Sequence, residues 1–290
     1  MRLDRAILRK LPCLRNELAR ALLATVVAAS CLALLANGQS AVLANSHAKL
    51  ELIADDTPTA GASFWAGVLF HLDPGWHVYW QNAGDSGTPP KIDWQLPAGY
   101  RIGSIRWPTP VRLGHGSVVD YGYKRGVLLM APIERTSKAA QIQPSSIVAD
   151  VKYVVCREVC IPGKAHLTLP LTADGGPSRY ASHWRAIFEH TRAQFPKAMP
   201  STWKLSATSN KDDFVLSIDT GTPVKNAAFF PTDSSVIKNS APQRLTSTAH
   251  GFRLTLRKSD LLTQPVTDLE GLIVLGPQRA FEIVAPVGTR

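Results

Sequence analysis

Phe64-Trp-Ala-Gly-Val-Leu-Phe-His-Leu72 decides the fold. Its apolar residues Phe64, Ala66, Val68, Phe70 and Leu72 recur at every second position. That period places them on one face of a β-strand. Working outward, Gly126-Val-Leu-Leu-Met-Ala-Pro-Ile133, Ile147-Val-Ala-Asp-Val-Lys-Tyr-Val-Val155 and His166-Leu-Thr-Leu-Pro-Leu171 are further short apolar or alternating runs. Gly, Pro, Asp and Asn separate them. Many short strands with turn residues between them predict an antiparallel sandwich. One segment has a different period. Between Pro177 and Pro196 the apolar residues Tyr180, Trp184, Ile187, Phe188 and Phe195 follow helical spacing, with Ser178 as N-cap and Pro196 as the stop. Asp174-Gly-Gly-Pro177 reads as a linker before it. Strand signals then return in Phe214-Val-Leu-Ser-Ile218, Ala227-Ala-Phe-Phe230, Phe252-Arg-Leu-Thr-Leu256, Gly271-Leu-Ile-Val-Leu275 and Phe281-Glu-Ile-Val-Ala285. They predict a second, smaller β domain.

The chain opens with Arg2, Arg5, Arg9, Lys10, Arg15 and Arg20 against Asp4 and Glu17. An uncharged run from Ala21 to Ala36 follows, then small residues at Ala41, Ala44, Ser46 and Ala48. A basic start, a short apolar middle and a small-residue exit make a secretory signal. The expected segment is 1–44. A membrane span needs about 20 apolar residues, and this run is shorter. Removing the leader lowers the net charge from +10 to +6, because six basic and two acidic residues leave with it. No long Lys/Arg run and no basic-aromatic interleaving marks a nucleic-acid surface. Cys13 and Cys31 lie in the leader, so Cys156 and Cys160 are the cysteines of the exported part. Disulfides persist in the compartments that exported proteins reach.

The pair sits in Tyr153-Val-Val-Cys156-Arg-Glu-Val-Cys160-Ile-Pro162. Four residues of extended strand span about 13 Å. A disulfide needs its α-carbons within about 7 Å. If the two bond, the chain must fold back between them. A hairpin that turns at Arg157-Glu-Val159 does this, since directly opposed antiparallel residues lie about 4.5 to 5.5 Å apart. One helical turn would also serve, but Pro162 and the β-branched neighbours disfavour it. Closing so short a loop stabilises the fold by roughly 2 kcal/mol, against about 4.7 for a loop of a hundred residues. Lys152, Arg157 and Lys164 favour a thiolate and Glu158 opposes it. Three chemistries fit the residues: a redox couple, an inert structural bond, and soft-thiolate copper binding. A structural zinc site wants four ligands, and the chain has no second cysteine pair. Met130 and Met199 make no methionine-rich copper tract.

Four motifs occur in order. They are Trp76-His-Val-Tyr79-Trp80-Gln-Asn82-Ala-Gly84-Asp85-Ser86-Gly87-Thr-Pro89-Pro90, Trp107-Pro108-Thr-Pro110, Tyr121-Gly122-Tyr123 and the cysteine segment. From about Leu50 to Leu171 the chain resembles the periplasmic N-terminal domain of the DsbD family of thiol:disulfide interchange proteins, in a branch similar to ScsB-type proteins linked to copper tolerance. The resemblance implies an all-β fold of two tandem immunoglobulin-like antiparallel sandwiches joined by one helix. The expected boundaries are 45–173 for the sandwich with the cysteine pair, 174–200 for linker and helix, and 201–290 for the second sandwich. It implies dithiol–disulfide exchange in the periplasm, with electrons passing through Cys156 and Cys160 and no cofactor, metal or nucleic acid involved. By analogy Cys160 forms the mixed disulfide and Cys156 resolves it. The implied partners are a membrane-embedded thiol reductase and periplasmic thioredoxin-fold proteins. The spacing of the pair is shorter than in DsbD itself, and Ala83 stands where relatives often carry proline.

Tyr79, Asp85, Tyr121, Tyr123 and Tyr153 are the supporting residues to examine around the pair. Large aromatics also fill sandwich interiors. In an extended strand Trp76, Val78 and Trp80 share one face, and His77 and Tyr79 the other. Asp85 fits a turn in Gly84-Asp85-Ser86-Gly87 better than acid–base work. That tetrapeptide lacks the spacing of a hydrolase nucleophile elbow.

Overall fold

A computed structural model of the protein describes residues 47–55, 64–114, 116–136, 146–172 and 181–289. The expected signal segment 1–44 and the expected helix cap Ser178 lie outside the described residues. Antiparallel strands dominate, as the alternating patterns require.

Among the described residues the first sandwich is built from ten strands. One sheet joins β1 (Ala48–Asp55), β2 (Phe64–Leu72), β8 (Gly126–Arg135) and β5 (Tyr100–Ile102) in that order. The facing sheet runs β10 (Cys160–Pro170), β9 (Ser146–Cys156), β3 (His77–Gly84), β7 (Asp120–Lys124) and β6 (Val111–Leu113). β4 (Lys91–Gln95) also pairs with β9, along its Val148–Lys152 stretch, while β3 takes the Val155–Cys156 end. The even positions of β2, from Phe64 to Leu72, pack in the core between these sheets. Trp76, Val78 and Trp80 join them, as their shared face predicts.

Every residue of β2 except His71 is buried, so its second face is covered too. The helix α1 (Ala181–Ala193) covers it. Phe188, fully buried, packs with Ile53, Trp65, Leu69, Leu128 and Met130 on the outside of the first sheet. Trp184 and Ile187 close the same cluster. Arg192 of α1 reaches the buried Asp55 carboxylate at 2.8 Å, with its guanidinium over the rings of Trp65 and Phe188. Thr109 donates through both its backbone N–H and its hydroxyl to the carbonyl of Gln194, just past the helix end. The helix is therefore a third layer of the first sandwich as well as a connection. Among the described residues no helix is long and apolar enough to cross a membrane.

The remaining described strands form a further eight-stranded sheet with a core of its own. In chain order they are β11 (Lys197–Ala198), β12 (Lys204–Ser209), β13 (Asp213–Asp219), β14 (Ala228–Pro231), β15 (Arg244–Thr248), β16 (Gly251–Arg257), β17 (Asp268–Val274) and β18 (Ala280–Thr289). The long β18 links two halves. Its Ala280–Pro286 stretch pairs antiparallel with β17, and Val287–Thr289 pairs parallel with β12. Phe214, Leu216, Phe252 and Leu254 from one half meet Phe229, Leu269, Ile273 and Ile283 from the other.

The first sandwich and this further sheet share apolar contacts. Phe230 and Leu272 of the second belong to the core of the first. Phe230 sets its ring edge-on to Tyr121 at 5.1 Å and to Trp80 at 6.5 Å. Asn82, buried, donates to the carbonyl of Pro231 at 2.7 Å.

Candidate functional site: a disulfide at the tip of a hairpin

β9 and β10 form one hairpin in which Cys156 and Cys160 are direct cross-strand partners. Their α-carbons are 4.2 Å apart and the sulfurs are bonded. Arg157-Glu158-Val159 makes the turn, closed by Arg157 N–H donating to the Val159 carbonyl. This is the fold-back that the four-residue spacing demands. The two sulfurs differ in access. Cys156 ends a strand whose odd positions face the core, is flanked by His77 on β3, and is buried. Cys160 begins the edge strand and is exposed, beside a Val159 that is 62% exposed.

Tyr79 reaches the pair from β3. Its hydroxyl donates to Cys156 Sγ at 2.7 Å and lies 3.5 Å from Cys160 Sγ and from Ser86 Oγ. The ring is held by His77, edge-on at 5.2 Å, and by Gly87. Gly87 has φ +65°, and a Cβ there would fall on the Tyr79 ring. Only glycine meets both conditions at this turn. Burial pushes the Tyr79 hydroxyl above the ordinary tyrosine value, and the Asp120 charge adds to it against the Ser86 contact. The hydroxyl thus stays a donor into alkaline conditions.

Ser86 ties Tyr79 to a carboxylate. Its backbone N–H and its hydroxyl both donate to Asp120, at 2.8 to 2.9 Å. His77 Nε2 stands 3.8 Å from the same carboxylate, an ion-pair distance too long for a hydrogen bond. Burial pushes Asp120 upward, but the His77 ring and the Ser86 donors outweigh it and hold the carboxyl below the ordinary range.

Behind this loop stands a second anchor. The Asp85 N–H donates to the Val119 carbonyl, and the Asp85 carboxylate accepts from Val119 N–H at 2.8 Å. The other carboxylate oxygen accepts from Asn239 Nδ2 at 2.9 Å. Asn239 belongs to the segment that carries the further sheet and is itself buried. Its side-chain oxygen accepts from Tyr121, and its backbone carbonyl accepts from Arg112.

Of the supporting residues read from the sequence, the structure brings Tyr79 to the sulfurs. Asp85 fixes the adjacent loop as a turn residue, and Tyr121 fixes Asn239. Tyr123 is buried and donates to the Pro108 carbonyl. Tyr153 is buried edge-on to Phe70, under Gly163. Sequence reasoning missed Ser86, Asp120, His77 and Asn239 as parts of the network. Ser86 and His77 lie inside the aromatic motif, so proximity could have raised them. Nothing in the local pattern marks Asn239. Arg157, read from the sequence as a turn residue and a charge, also meets an aromatic ring. Its guanidinium lies 5.7 Å over the buried Trp76, whose other neighbour is the stacked His47 ring. Among the described residues no group of three or more His, Cys, Asp or Glu side chains converges as a metal site.

Residues 49–172 match the family described as thiol:disulfide interchange protein DsbD, N-terminal. No curated protein matches the chain. A solved structure, the N-terminal periplasmic domain of ScsB from Proteus mirabilis, aligns over 87% of this chain and 97% of its own with a TM-score of 0.65 at 17% identity. That likeness extends the shared fold across the first sandwich and the further sheet. The cysteine hairpin lies inside the matched segment, so the likeness of residues 49–172 to DsbD N-terminal domains, a family of thiol:disulfide interchange, includes the bonded pair.

Proposed function

We propose that the protein is an extracytoplasmic thiol–disulfide exchange protein that passes electrons through Cys156 and Cys160. The supporting observation is the asymmetry of the bond. An exposed Cys160 sulfur is joined to a buried Cys156 sulfur that already accepts a hydrogen bond from Tyr79. Exchange proceeds by thiolate attack on a disulfide sulfur, and access selects the sulfur. A donor thiolate attacks Cys160, the Cys156–Cys160 bond breaks, and a mixed disulfide forms at Cys160. The electron pair leaves on Cys156. Tyr79 is placed to stabilise that thiolate by the hydrogen bond it already makes, because donation to the charged form favours it. A second donor thiolate releases the mixed disulfide, leaving both cysteines reduced. The reverse sequence reduces an acceptor: Cys160 attacks its disulfide, and Cys156 then displaces the acceptor thiol from Cys160.

The donor in this reading is a membrane-embedded thiol reductase, and the acceptors are thioredoxin-fold proteins. The leader-like segment 1–44 and the periplasmic origin of the ScsB domain support a periplasmic location. The second β domain serves as the support of the active-site loop, through Asn239.

A trapping experiment tests the reading. Cys156→Ser leaves Cys160 free but removes the resolving thiol. It should accumulate a mixed disulfide with a thioredoxin-fold protein, whereas Cys160→Ser should not. The wild-type potential should fall among the exchange proteins, above the value of about −300 mV typical of structural disulfides. No adduct together with a lower potential would assign the bond a structural role.

A further inference from the structure

On the outer face of the cysteine sheet, three lysines stand side by side. Lys91 on β4, Lys152 on β9 and Lys164 on β10 are direct cross-strand partners. Like charges directly opposite each other destabilise a sheet. Lys91 has the Asp93 carboxylate at 3.5 Å. Among the described residues neither Lys152 nor Lys164 has a carboxylate partner. The fold thus keeps Lys152 and Lys164 side by side without an ion pair, next to a row of Asp93, Asp150 and His166, and two neighbouring cations left unpaired on a sheet face suit a ligand from outside the chain.

The row borders an apolar groove of about 900 Å³. Pro89, Pro90 and Ile105 form one side of it, and Val154 and Pro162 belong to the hairpin that carries the cysteines. Val154 and Pro162 are themselves a cross-strand pair, lying between the Cys156–Cys160 pair and the Lys152–Lys164 pair. Along β10 the even positions share one face, so the exposed Cys160, Pro162 and Lys164 succeed one another on the outside. From the cysteine row to the lysine row is four residues, about 13 Å of extended chain. Sulfur, apolar step and cations therefore lie on one line with the repeat of a β-strand.

The geometry points to a docking track for an extended, acidic segment of a redox partner. The partner's reacting cysteine meets Cys160, an apolar side chain two residues away enters the groove, and a carboxylate four residues away meets the lysine row. The inference rests on the exchange reading of the cysteine pair and adds the chemistry of what that pair accepts. Complementary charge acts mainly on the rate of encounter and on rejection of wrong partners.

The test uses the Cys156→Ser chain, reduced at Cys160, and two synthetic peptides. Each carries a central cysteine activated as a mixed disulfide with nitrothiobenzoate, and Leu two residues away on both sides. One has Asp four residues away on both sides, the other Lys. Cys160 thiolate attacks the peptide sulfur, the peptide–Cys160 disulfide forms, and the coloured nitrothiobenzoate thiolate leaves. At low ionic strength the acidic peptide should react about tenfold faster than the basic one, and added salt should erase the difference. Replacing the row by Lys91→Gln, Lys152→Gln and Lys164→Gln should bring the two rates together. Equal rates for both peptides with the lysines intact would overturn the docking track and leave the exchange reading standing. No adduct with either peptide, from a chain whose unfolded form does react, would remove the exchange reading and the track with it.

Discussion

Asn239 Nδ2 donates to the Asp85 carboxylate at 2.9 Å, joining the segment that carries the eight-stranded sheet to the loop that borders the disulfide. The two residues are 154 positions apart. Asn239 also accepts from the buried Tyr121 hydroxyl. Asn239→Ala therefore strands a donor and an acceptor in a desolvated site. Each such loss costs about 1–3 kcal/mol. The urea midpoint of Asn239→Ala should correspond to a loss of about 2 kcal/mol or more, with the reduction rate of the disulfide changed as well. A stability within about 0.5 kcal/mol of wild type, the range of ordinary surface changes, would mean the contact supports nothing.

Tyr79→Phe removes the donor to Cys156 and keeps the ring against Gly87. A hydrogen bond to a charged group contributes about 1.5–3 kcal/mol, and 1.4 kcal/mol is a factor of ten. Stopped-flow reduction by a dithiol should slow by about 10- to 100-fold. An unchanged rate would exclude Tyr79 as the partner of the leaving sulfur.

Alkaline stability follows from the buried tyrosines. Burial raises Tyr123 well above its ordinary value, and it raises Tyr121 too, with Asp85 adding to the rise and Arg112 opposing it. The unfolded chain titrates its tyrosines near pH 10, at about the model-peptide value. Between that value and the raised folded values the native state holds more protons, so stability is present below about pH 10 and falls as pH rises. Thermal unfolding followed from about pH 8 to about pH 11 should show a falling midpoint that is shallower in Tyr123→Phe. Equal slopes for the two chains would contradict this.

Asp120 governs the acid side with the opposite sign. Its folded value is lowered by the His77 ring and the Ser86 donors acting against burial. Its contribution is therefore present above the unfolded carboxylate value of about 3.9 and is lost as pH falls through the lower folded value. Asp120→Asn should flatten the loss of stability below about pH 4, as read from denaturant midpoints in acid.

Phe188→Ala tests whether α1 is a structural layer of the first sandwich. The side chain is fully buried against Trp65, Leu69 and Met130. Removing a buried phenylalanine costs about 3–5 kcal/mol. A cost below about 1 kcal/mol would show a helix lying loosely on the sheet.

Much of this architecture was legible residue by residue. The β2 alternation placed Phe64 to Leu72 on the core face, and α1 matched the spacing of Trp184, Ile187 and Phe188. Helical spacing showed that α1 had an apolar face but not that Trp65 and Leu69 would receive it. The short strands β5, β6, β7 and β15 left no pattern strong enough to read. At the site, Tyr79 was singled out with four other residues, and only the fold separated it from Tyr123 and Tyr153.

The sequence by itself determined the strand faces, the helix and, for a bonded cysteine pair, the need for the chain to fold back. Side-chain period and chain reach are set by backbone sterics within a few residues, so two bonded cysteines four apart had to turn back on themselves. Only the tertiary structure decided what surrounds them. β4 joins β9 and completes the row of Lys91, Lys152 and Lys164. β3 delivers Tyr79 to Cys156, and the segment of the eight-stranded sheet delivers Asn239 to Asp85. These meetings depend on strand register and on which layers pack together. Both come from the summed burial of the whole chain, and no local pattern carries them.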